Sequence, residues 1–320
     1  MKPLSLSKES NLGLIALSLF IIMTMFVPGF FGQNNLNNMM FQLPEAGLLA
    51  LAMMLVIVTG GIDLSITYIA ALSGVSIALM QSAGYPIILS IAVGIIVGLM
   101  CGLLNGVIVS KIGVSPILVT LGTMVLFEGV ILSITKGSSI SGFSESYSLI
   151  GNGYYMGVIP LSMIIFVFFA ILTGLLLTKT KWGRSVYMVG SNPVASLFSG
   201  VNNSRVLLKV YLFAALLAAI ASIIMTSRYN SAKVDLGSSY LLQSISAAVL
   251  GGTRIEGGYG KVIGTVYAVA IFQMLSSGLN LMGVPRPIVN MMMGVILILV
   301  LVLNFVKYKM DEKKQKTAVA

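Results

Sequence analysis

The chain of 320 residues contains no histidine, one cysteine and few charged residues. Histidine is the commonest general base and metal ligand, so its absence disfavours hydrolytic and metal-dependent catalysis. The lone Cys101 cannot form an intramolecular disulfide and is expected to be a small packing residue. Charged residues make up 9% of the chain, whereas soluble domains carry about a quarter. We therefore expect neither cofactor nor metal, and the composition excludes an ordinary soluble domain.

Long apolar runs take the place of the missing charge: hydrophobic residues make up 57% of the chain and the mean hydropathy is +1.01. A segment that crosses a bilayer must satisfy its own backbone hydrogen bonds, and about 20 apolar residues in a helix do so. The sequence predicts an all-α polytopic membrane protein, a single transmembrane domain over 1–320 with about ten transmembrane helices. The predicted spans are 11–28, 46–62, 64–81, 87–110, 112–135, 158–178, 210–227, 236–253, 262–285 and 287–306.

The net charge of +10 is distributed unevenly along the chain. With ten crossings and an inner N-terminus, only four basic residues face outward, namely Lys136, Arg228, Lys233 and Arg286. The inner set is Lys2, Lys8, Lys111, Lys179, Lys181, Arg184, Arg205, Lys209, Arg254, Lys261, Lys307, Lys309, Lys313, Lys314 and Lys316. An excess of basic residues in cytoplasmic loops is the rule for membrane proteins. The charge therefore indicates topology, with both termini and the tail 307–320 cytoplasmic, and does not indicate nucleic acid binding.

Glycines fall inside the apolar runs in two informative patterns. Those of the fourth run recur every four residues, which places them on one helical face and predicts close helix packing; they are Gly94, Gly98, Gly102 and Gly106. Elsewhere, an apolar run breaks at a glycine pair beside a charge, at 60–61 and again at 251–252. Paired glycine breaks in corresponding positions are typical of transporters built from two repeated halves, so two pseudo-repeated halves are expected.

The inner loop 179–209 is long for a simple connection. Within it, Asn192 is a suitable N-cap, Pro193 fits the first helical position and Gly200 is a suitable stop, so 191–200 is predicted to form a short helix. The alternative is a connector helix that lies on the lipid surface. That alternative is disfavoured because the segment lacks the Lys/Arg-rich polar face of surface helices.

Several chemical signatures are absent. No phosphate-binding glycine loop precedes the Gly260-Lys261 pair, so the chain itself should not bind ATP. Among the carboxylates, Glu45 and Asp63 are flanked by helix breakers, which favours helix ends at the membrane interface, whereas Glu128 lies in mid-run. Polar residues that could face a solute pathway, or instead form interhelical hydrogen bonds, are Asp63, Asn105, Glu128, Gln243, Gln273, Asn280 and Asn290.

Five segments, in order along residues 45–300, carry a family resemblance. They are GGIDLS at 60–65, SPILVTLGTM at 115–124, GSNPVASLFSG at 190–200, AAVLGGT with EGGYG at 247–260, and SGLNLMGV at 277–284. Together they resemble the membrane permeases of ribose-type bacterial ABC sugar importers, a group that also includes xylose, galactofuranose and autoinducer-2 systems. The resemblance implies the importer permease fold in the bacterial inner membrane.

The resemblance also implies partners: a second permease, identical or homologous, two cytoplasmic ATPase subunits, and an extracytoplasmic solute-binding protein, all assembled in membrane lipid. The implied ATPase-coupling residues are Ser191, Asn192, Pro193, Ala195, Ser196, Ser199 and Gly200. Two positions depart from the family pattern there, because Val194 and Leu197 replace the usual Glu and Arg. Glu128 also stands where relatives often carry Arg. The predicted ATPase contacts are therefore more apolar than usual.

Two other classes of function remain for comparison. An ion-coupled secondary transporter of a small polar solute would need charged residues near the membrane midplane, and this chain has few. An intramembrane enzyme would need a catalytic constellation, and none is recognisable. An importer subunit that transports solute while a separate ATPase hydrolyses ATP is the interpretation that the sequence favours.

Overall fold

The computed structural model describes residues 8–285, 287–292, 294–296, 298–299 and 302, and most of these residues are helical. The helices are α1 (Lys8–Phe26), α2 (Gln33–Val58), α3 (Ile66–Ser82), α4 (Ile87–Val107), α5 (Pro116–Thr135), α6 (Glu145–Asn152), α7 (Leu161–Lys179), α8 (Lys181–Ser191), α9 (Pro193–Phe198), α10 (Asn203–Tyr229), α11 (Tyr240–Leu250) and α12 (Val262–Leu281). One turn of π-helix, Ile108–Ile112, extends α4, and helical residues resume at 287–292.

Four short strands complete the described part. Strand β1 (Ile140–Ser141) pairs antiparallel with β4 (Ser231–Ala232), and β2 (Tyr154–Tyr155) pairs with β3 (Ile159–Pro160). All four lie in loops between the helices and cover one end of the helical bundle. The all-α membrane class predicted from composition is confirmed.

Seven helices are long and apolar enough to cross a bilayer: α1, α2, α4 with its π-turn, α5, α7, α10 and α12. Three other predicted spans, at 64–81, 236–253 and 287–306, correspond to shorter apolar helices. Helix α11 has only 11 residues, or about 16 Å at the α-helical rise, which is about half the hydrocarbon thickness. The count of ten crossings stays a prediction. The tail 307–320, Lys2 and Arg286 lie outside the described residues.

Helix α2 differs most from its prediction. It begins at Gln33, well before the expected start at Ala46, and runs without interruption through Pro44. Its first turns mix asparagine and glutamine with apolar residues, so a search for uninterrupted hydrophobic runs does not detect them. Glu45 consequently lies inside a helix and is fully buried. The expectation that it marks a helix end at the membrane interface is wrong.

The core is formed by α2, α3 and α10, which pack against one another and against α4, α11 and α12. In the most apolar 18-residue stretch of α2, 89% of the residues are buried. In the corresponding stretches of α1, α5 and α7, between 0% and 28% are buried. The exposed residues of these outer helices are mostly large and apolar. An apolar exterior of this kind is typical of helices in contact with lipid.

Close packing at the glycine face of α4 is confirmed. All four glycines are buried against α3 and α10. A Cβ atom added at Gly98 would lie 3.0 Å from the Cβ of Ala219, and one added at Gly102 would lie 2.8 Å from the carbonyl oxygen of Tyr211. The missing side chains thus allow α4 and α10 to approach to backbone contact.

The bundle has two chemically different ends. The basic end carries α8, α9 and the loops after α2 and α11, with Lys179, Lys181, Arg184, Arg205 and Lys261. The hairpin end carries α6 and the two strand pairs. Tyr147 of α6 is fastened there to the last turn of α10 by a 2.6 Å hydrogen bond to Thr226.

A buried carboxylate joins α2 to α10 and α11. Glu45 forms a 2.9 Å ion pair with Arg228 and accepts hydrogen bonds of 2.8 Å from the hydroxyls of Tyr229 and Tyr240. Its side chain is fully buried, and that of Arg228 is 14% exposed. A buried charge is tolerated only when it is paired and hydrogen-bonded. The four side chains, named here the Glu45 cluster, therefore fix the start of α11 against the middle of α2.

We predict that Gly102→Ala destabilises the protein by about 1–3 kcal/mol, the range for overpacking a filled interior. The added methyl group would meet Ala215 and the Tyr211 backbone, neither of which is the flexible end of a long side chain. The matched control is Gly174→Ala in α7, where the nearest atom outside the helix lies 4.0 Å from the new methyl group. Thermal unfolding of the detergent-solubilised variants measures the difference, and equal melting temperatures would refute the close-packing account.

We predict that Arg228→Ala destabilises the protein by about 3–5 kcal/mol, because it leaves the Glu45 carboxylate buried without a counter-charge. The double variant Glu45→Gln/Arg228→Met should be closer to wild type, since it removes the charge together with its partner. Chemical unfolding of the three proteins tests this order. A single variant as stable as the double variant would contradict the assigned role of the ion pair.

Candidate functional site

A cavity of about 550 Å³ opens at the hairpin end of the bundle. The first turns of α2, the start of α11 and the last turns of α12 form its walls, and residues 289–290 complete it. Half of its lining residues carry carboxamides, and no described lining residue is charged. The lining residues are Gly29, Gly32, Gln33, Asn34, Asn35, Asn38, Met39, Gln42, Ser239, Tyr240, Gln243, Gln273, Ser276, Ser277, Asn280, Leu281, Val289 and Asn290.

Two hydrogen bonds between α2 and α12 fix the inner part of this cavity. Gln273, which is 3% exposed, donates to Gln42 Oε1 at 3.0 Å. Ser277 donates to Asn35 Oδ1 at 2.6 Å, and the Asn35 amide donates in turn to the carbonyl oxygen of Phe30 at 2.8 Å. These contacts hold the carboxamides in set orientations, as is needed for a preformed polar site.

Other carboxamides of the cavity remain available. Among the described residues, the structure gives no side-chain hydrogen bond to Asn38, Gln243, Asn280 or Asn290, and all but Gln243 are exposed at the mouth. Gln243, Gln273, Asn280 and Asn290 are four of the seven residues that the sequence singled out for a solute pathway. The structure brings these four together around one cavity.

The cavity is neutral although a carboxylate lies directly behind its wall. Tyr240 lines the cavity and donates its hydroxyl hydrogen to Glu45. The hydroxyl is thus engaged by the Glu45 cluster, which leaves the ring of Tyr240 to form the wall. Arg228 compensates the charge of Glu45, so the cavity experiences an ion pair rather than a net charge.

Asp63, which follows the glycine break between α2 and α3, lies beside Asn105 of α4, away from the cavity. The Oδ1 atom of Asp63 accepts hydrogen bonds from the backbone nitrogen of Ser65 at 2.9 Å and from its hydroxyl at 2.6 Å. Asn105 donates to the same hydroxyl oxygen at 2.8 Å. All three side chains are buried. Their geometry braces the turn before α3 and does not place them in an open pathway.

Glu128 is separate from both groups. It is partly exposed on α5, where its interaction partner is the phenol of Tyr68 on α3. The adjacent Gly129 has open space around it. The seven pathway candidates therefore divide into a group of four around the cavity, the buried pair Asp63 and Asn105, and Glu128 alone on an outer helix.

The predicted short helix at the basic end is confirmed as α9. Asn192 is its N-cap and accepts a 2.9 Å hydrogen bond from the backbone nitrogen of Ala195, Pro193 occupies the first position, and Gly200 has a φ of +80°. A left-handed residue after the last turn is the usual glycine stop. Ser199 is the C-cap, and its hydroxyl donates to the Ala195 carbonyl oxygen at 2.9 Å.

The outward face of α9 is apolar, as Val194 and Leu197 led us to expect. Val194, Leu197 and Phe198 are exposed by 63%, 61% and 87%. Ser196, one of the implied coupling residues, is instead buried and donates at 2.8 Å to Asn203 of its own chain. The free face of the helix is therefore apolar, and its most exposed residue was not among the predicted coupling positions.

Three chain segments meet beneath α9. The backbone nitrogen of Gly258, in the loop after α11, donates to the Val58 carbonyl oxygen at the end of α2 over 2.8 Å. A Cβ atom at Gly258 would lie 2.8 Å from the Cα of Ser191, and one at Gly190 would overlap the Val58 carbonyl. We name this contact of the end of α2, the loop segment Gly257–Gly258 after α11, and the end of α8 the glycine junction. Only glycine permits such backbone contact.

Polar side chains support the glycine junction. The hydroxyl of Tyr187 in α8 donates to the carbonyl oxygen of Gly260 at 2.7 Å. Burial raises the pKa of Tyr187 above its usual value, so the hydroxyl keeps its proton and remains a donor. At the next residue along, Lys261 forms a 2.9 Å ion pair with Glu9 of α1, and this hydrogen bond raises the pKa of Lys261. At neutral pH, Tyr187 therefore keeps its hydroxyl proton and Lys261 keeps its positive charge.

Comparison with known proteins identifies the family of this chain. The family described as "Branched-chain amino acid transport system / permease component" matches residues 35–301. A ribose import permease protein of Bacillus subtilis is 41% identical over 288 residues, which cover 89% of each chain. No solved structure matches this chain.

Two further relatives carry another solute in their names. An autoinducer 2 import system permease protein of Yersinia enterocolitica is 34% identical over 86% of this chain and 87% of its own. The corresponding protein of Photorhabdus temperata is 32% identical over 90% of this chain and 89% of its own. The family match covers most of the residues, and all three relatives are permeases. The chain therefore belongs to the family of membrane permease components described for branched-chain amino acid transport systems.

Proposed function

We propose that this chain is the permease subunit of a bacterial inner-membrane ABC importer that carries a neutral sugar or sugar-like solute. Three observations support the proposal: the import permeases among its relatives, the uncharged carboxamide cavity at the hairpin end, and an apolar helix α9 at the basic end. The relatives favour ribose-like or autoinducer-2-like solutes over amino acids, which would require charged partners for their carboxylate and ammonium groups.

In this proposal the solute arrives from an extracytoplasmic binding protein at the hairpin end, where the cavity opens. A second permease subunit, identical or homologous, completes the membrane unit, and two ATPase subunits dock at the basic end. The chain itself has no phosphate-binding loop, so ATP hydrolysis belongs to the docked subunits. Solute transfer follows from alternating exposure of the pathway to the two sides of the membrane.

The observation that carries the coupling part of the proposal is the position of α9 on the glycine junction. Displacement of α9 by a docked ATPase moves Gly190 and Ser191, which are in backbone contact with the end of α2 at Val58 and with Gly258 in the loop after α11. Packed backbones transmit displacement because no flexible side chain intervenes to absorb it. The two breaks are also the points at which α2 and α11 end. One small helix is thus mechanically connected to both interrupted segments.

We predict that Phe198→Glu weakens ATPase docking about tenfold or more and lowers transport accordingly, while leaving membrane insertion intact. Burying an unpaired charge in an apolar interface costs at least about 1.4 kcal/mol, which corresponds to roughly tenfold or more in affinity. Ala195→Arg should act in the same way by adding charge and volume to the exposed side of α9. The matched control is Met156→Glu, which places the same charge at an equally exposed residue, 82%, at the opposite end of the molecule.

Uptake of labelled solute and co-purification of the ATPase subunit measure this effect. Normal uptake by both α9 variants would reject the coupling role. Uptake that continues without any ATPase or nucleotide, and that follows a proton or sodium gradient, would support the ion-coupled transporter instead. The control Met156→Glu should retain ATPase co-purification, because its residue does not reach the basic end.

We predict that the basic end is cytoplasmic and the hairpin end extracytoplasmic. In a Cys101→Ala background, a cysteine at Ser146 of α6 should react with a membrane-impermeant maleimide in intact cells. A cysteine at Ser185 of α8 should react only after permeabilisation. Both substitutions are nearly isosteric, so neither should disturb the fold. The reverse pattern of labelling would overturn the orientation that the basic residues indicate.

A further inference from the structure

We infer that the carboxamide-lined cavity at the hairpin end is a binding site for a neutral polyhydroxylated solute, built entirely within one permease subunit. The inference rests on the proposed import function and adds to it a specific site and a ligand class. Its volume of about 550 Å³ falls within the usual range for small-molecule pockets, about 300–1,000 Å³. The opening faces the end at which solute would be delivered.

The lining chemistry selects for hydroxyl groups. A carboxamide offers both donor and acceptor atoms, and a hydroxyl group likewise donates and accepts, so each can satisfy the other in more than one orientation. Gln243, Asn38 and Asn280 are free to make such contacts among the described residues. An ion entering the cavity would lose its hydration without meeting an opposite charge, which is strongly unfavourable.

Hydrogen bonds to neighbouring residues fix the orientation of several side chains in the cavity wall. Gln42 and Asn35 are held by Gln273 and Ser277, so their remaining polar atoms have fixed directions. The Glu45 cluster engages the hydroxyl of Tyr240 and leaves its ring against the cavity, where it offers an apolar surface to the carbon skeleton of a solute. Fixed polar groups beside one rigid aromatic face reduce the entropy cost of binding.

The elements around the cavity connect it to the rest of the molecule. Helix α11 begins at the cavity and ends at the glycine break beside the glycine junction. Helix α11 has only 11 residues and leads directly into the loop whose Gly257 and Gly258 lie beneath α9. Solute binding at one end and ATPase docking at the other would therefore act on the same short helix.

The test uses the full chain in membrane vesicles and a reporter cysteine inside the cavity. Ser276→Cys in a Cys101→Ala background places a nearly isosteric thiol in the lining, and Ser146→Cys on α6 is the reporter outside it. The rate of alkylation by a small maleimide is measured with D-ribose, D-xylose or D-galactose, and with potassium glutamate at the same osmolarity. At least one neutral sugar should slow alkylation of the Ser276→Cys thiol several-fold and leave the Ser146→Cys thiol unchanged.

Adding Gln243→Leu or Asn38→Leu to the reporter chain should abolish this protection, because each removes a carboxamide from the wall. The matched control is Gln81→Leu, which removes a carboxamide on α3 that does not line the cavity. Protection by no sugar, or equal protection by potassium glutamate, would overturn the inference. Since alkylation requires only this chain, such a failure can be distinguished from failure of the proposed function, which would show as absent uptake and absent ATPase co-purification in the assembled transporter.

Discussion

The architecture depends on one backbone hydrogen bond, from the nitrogen of Gly258 to the carbonyl oxygen of Val58. Where the chain leaves the helical conformation, its buried backbone groups still need hydrogen-bond partners. The end of α2 and the loop segment that contains Gly257 and Gly258 lie against each other and supply such a partner. Glycine is required because a Cβ at Gly190, Gly257 or Gly258 would collide with backbone atoms. Because Gly190 lies at the end of α8, the same close contact also fixes the end of α8 and the start of α9 against the glycine junction.

At the opposite end of the bundle the same constraint applies to charge. Glu45 is fully buried within α2, and its burial is tolerated because one arginine and two tyrosine hydroxyls surround it. These contacts fix both the end of α10 and the start of α11 to α2. Without that connection the short α11 would depend on apolar contacts alone, and the wall of the carboxamide cavity would lose the support behind Tyr240.

These two polar contacts lie at the two ends of α11, and the proposed mechanism follows from that arrangement. The proposed solute site adjoins the Glu45 cluster, and the proposed ATPase contact rests on the glycine junction. A movement of α9 would reach α11 through the loop that contains Gly257 and Gly258. Asp63, in contrast, is engaged by Ser65 beside Asn105, which suits a brace of the break better than a carrier of ions.

The sequence alone determined the membrane class, the glycine packing of α4 and the capped helix α9, because each depends on local pattern: hydrophobic length, four-residue spacing, or the order Asn-Pro-to-Gly. It did not locate the first turns of α2, because asparagine and glutamine interrupt the hydrophobic run there. It placed Glu45 at a helix end because a proline such as Pro44 usually marks one. Only the tertiary structure decided which polar residues meet. Gln243, Gln273, Asn280 and Asn290 surround one cavity with the amides of α2, whereas Asp63, Asn105 and Glu128 lie elsewhere. Contacts between residues hundreds of positions apart are set by packing, and no local pattern encodes them.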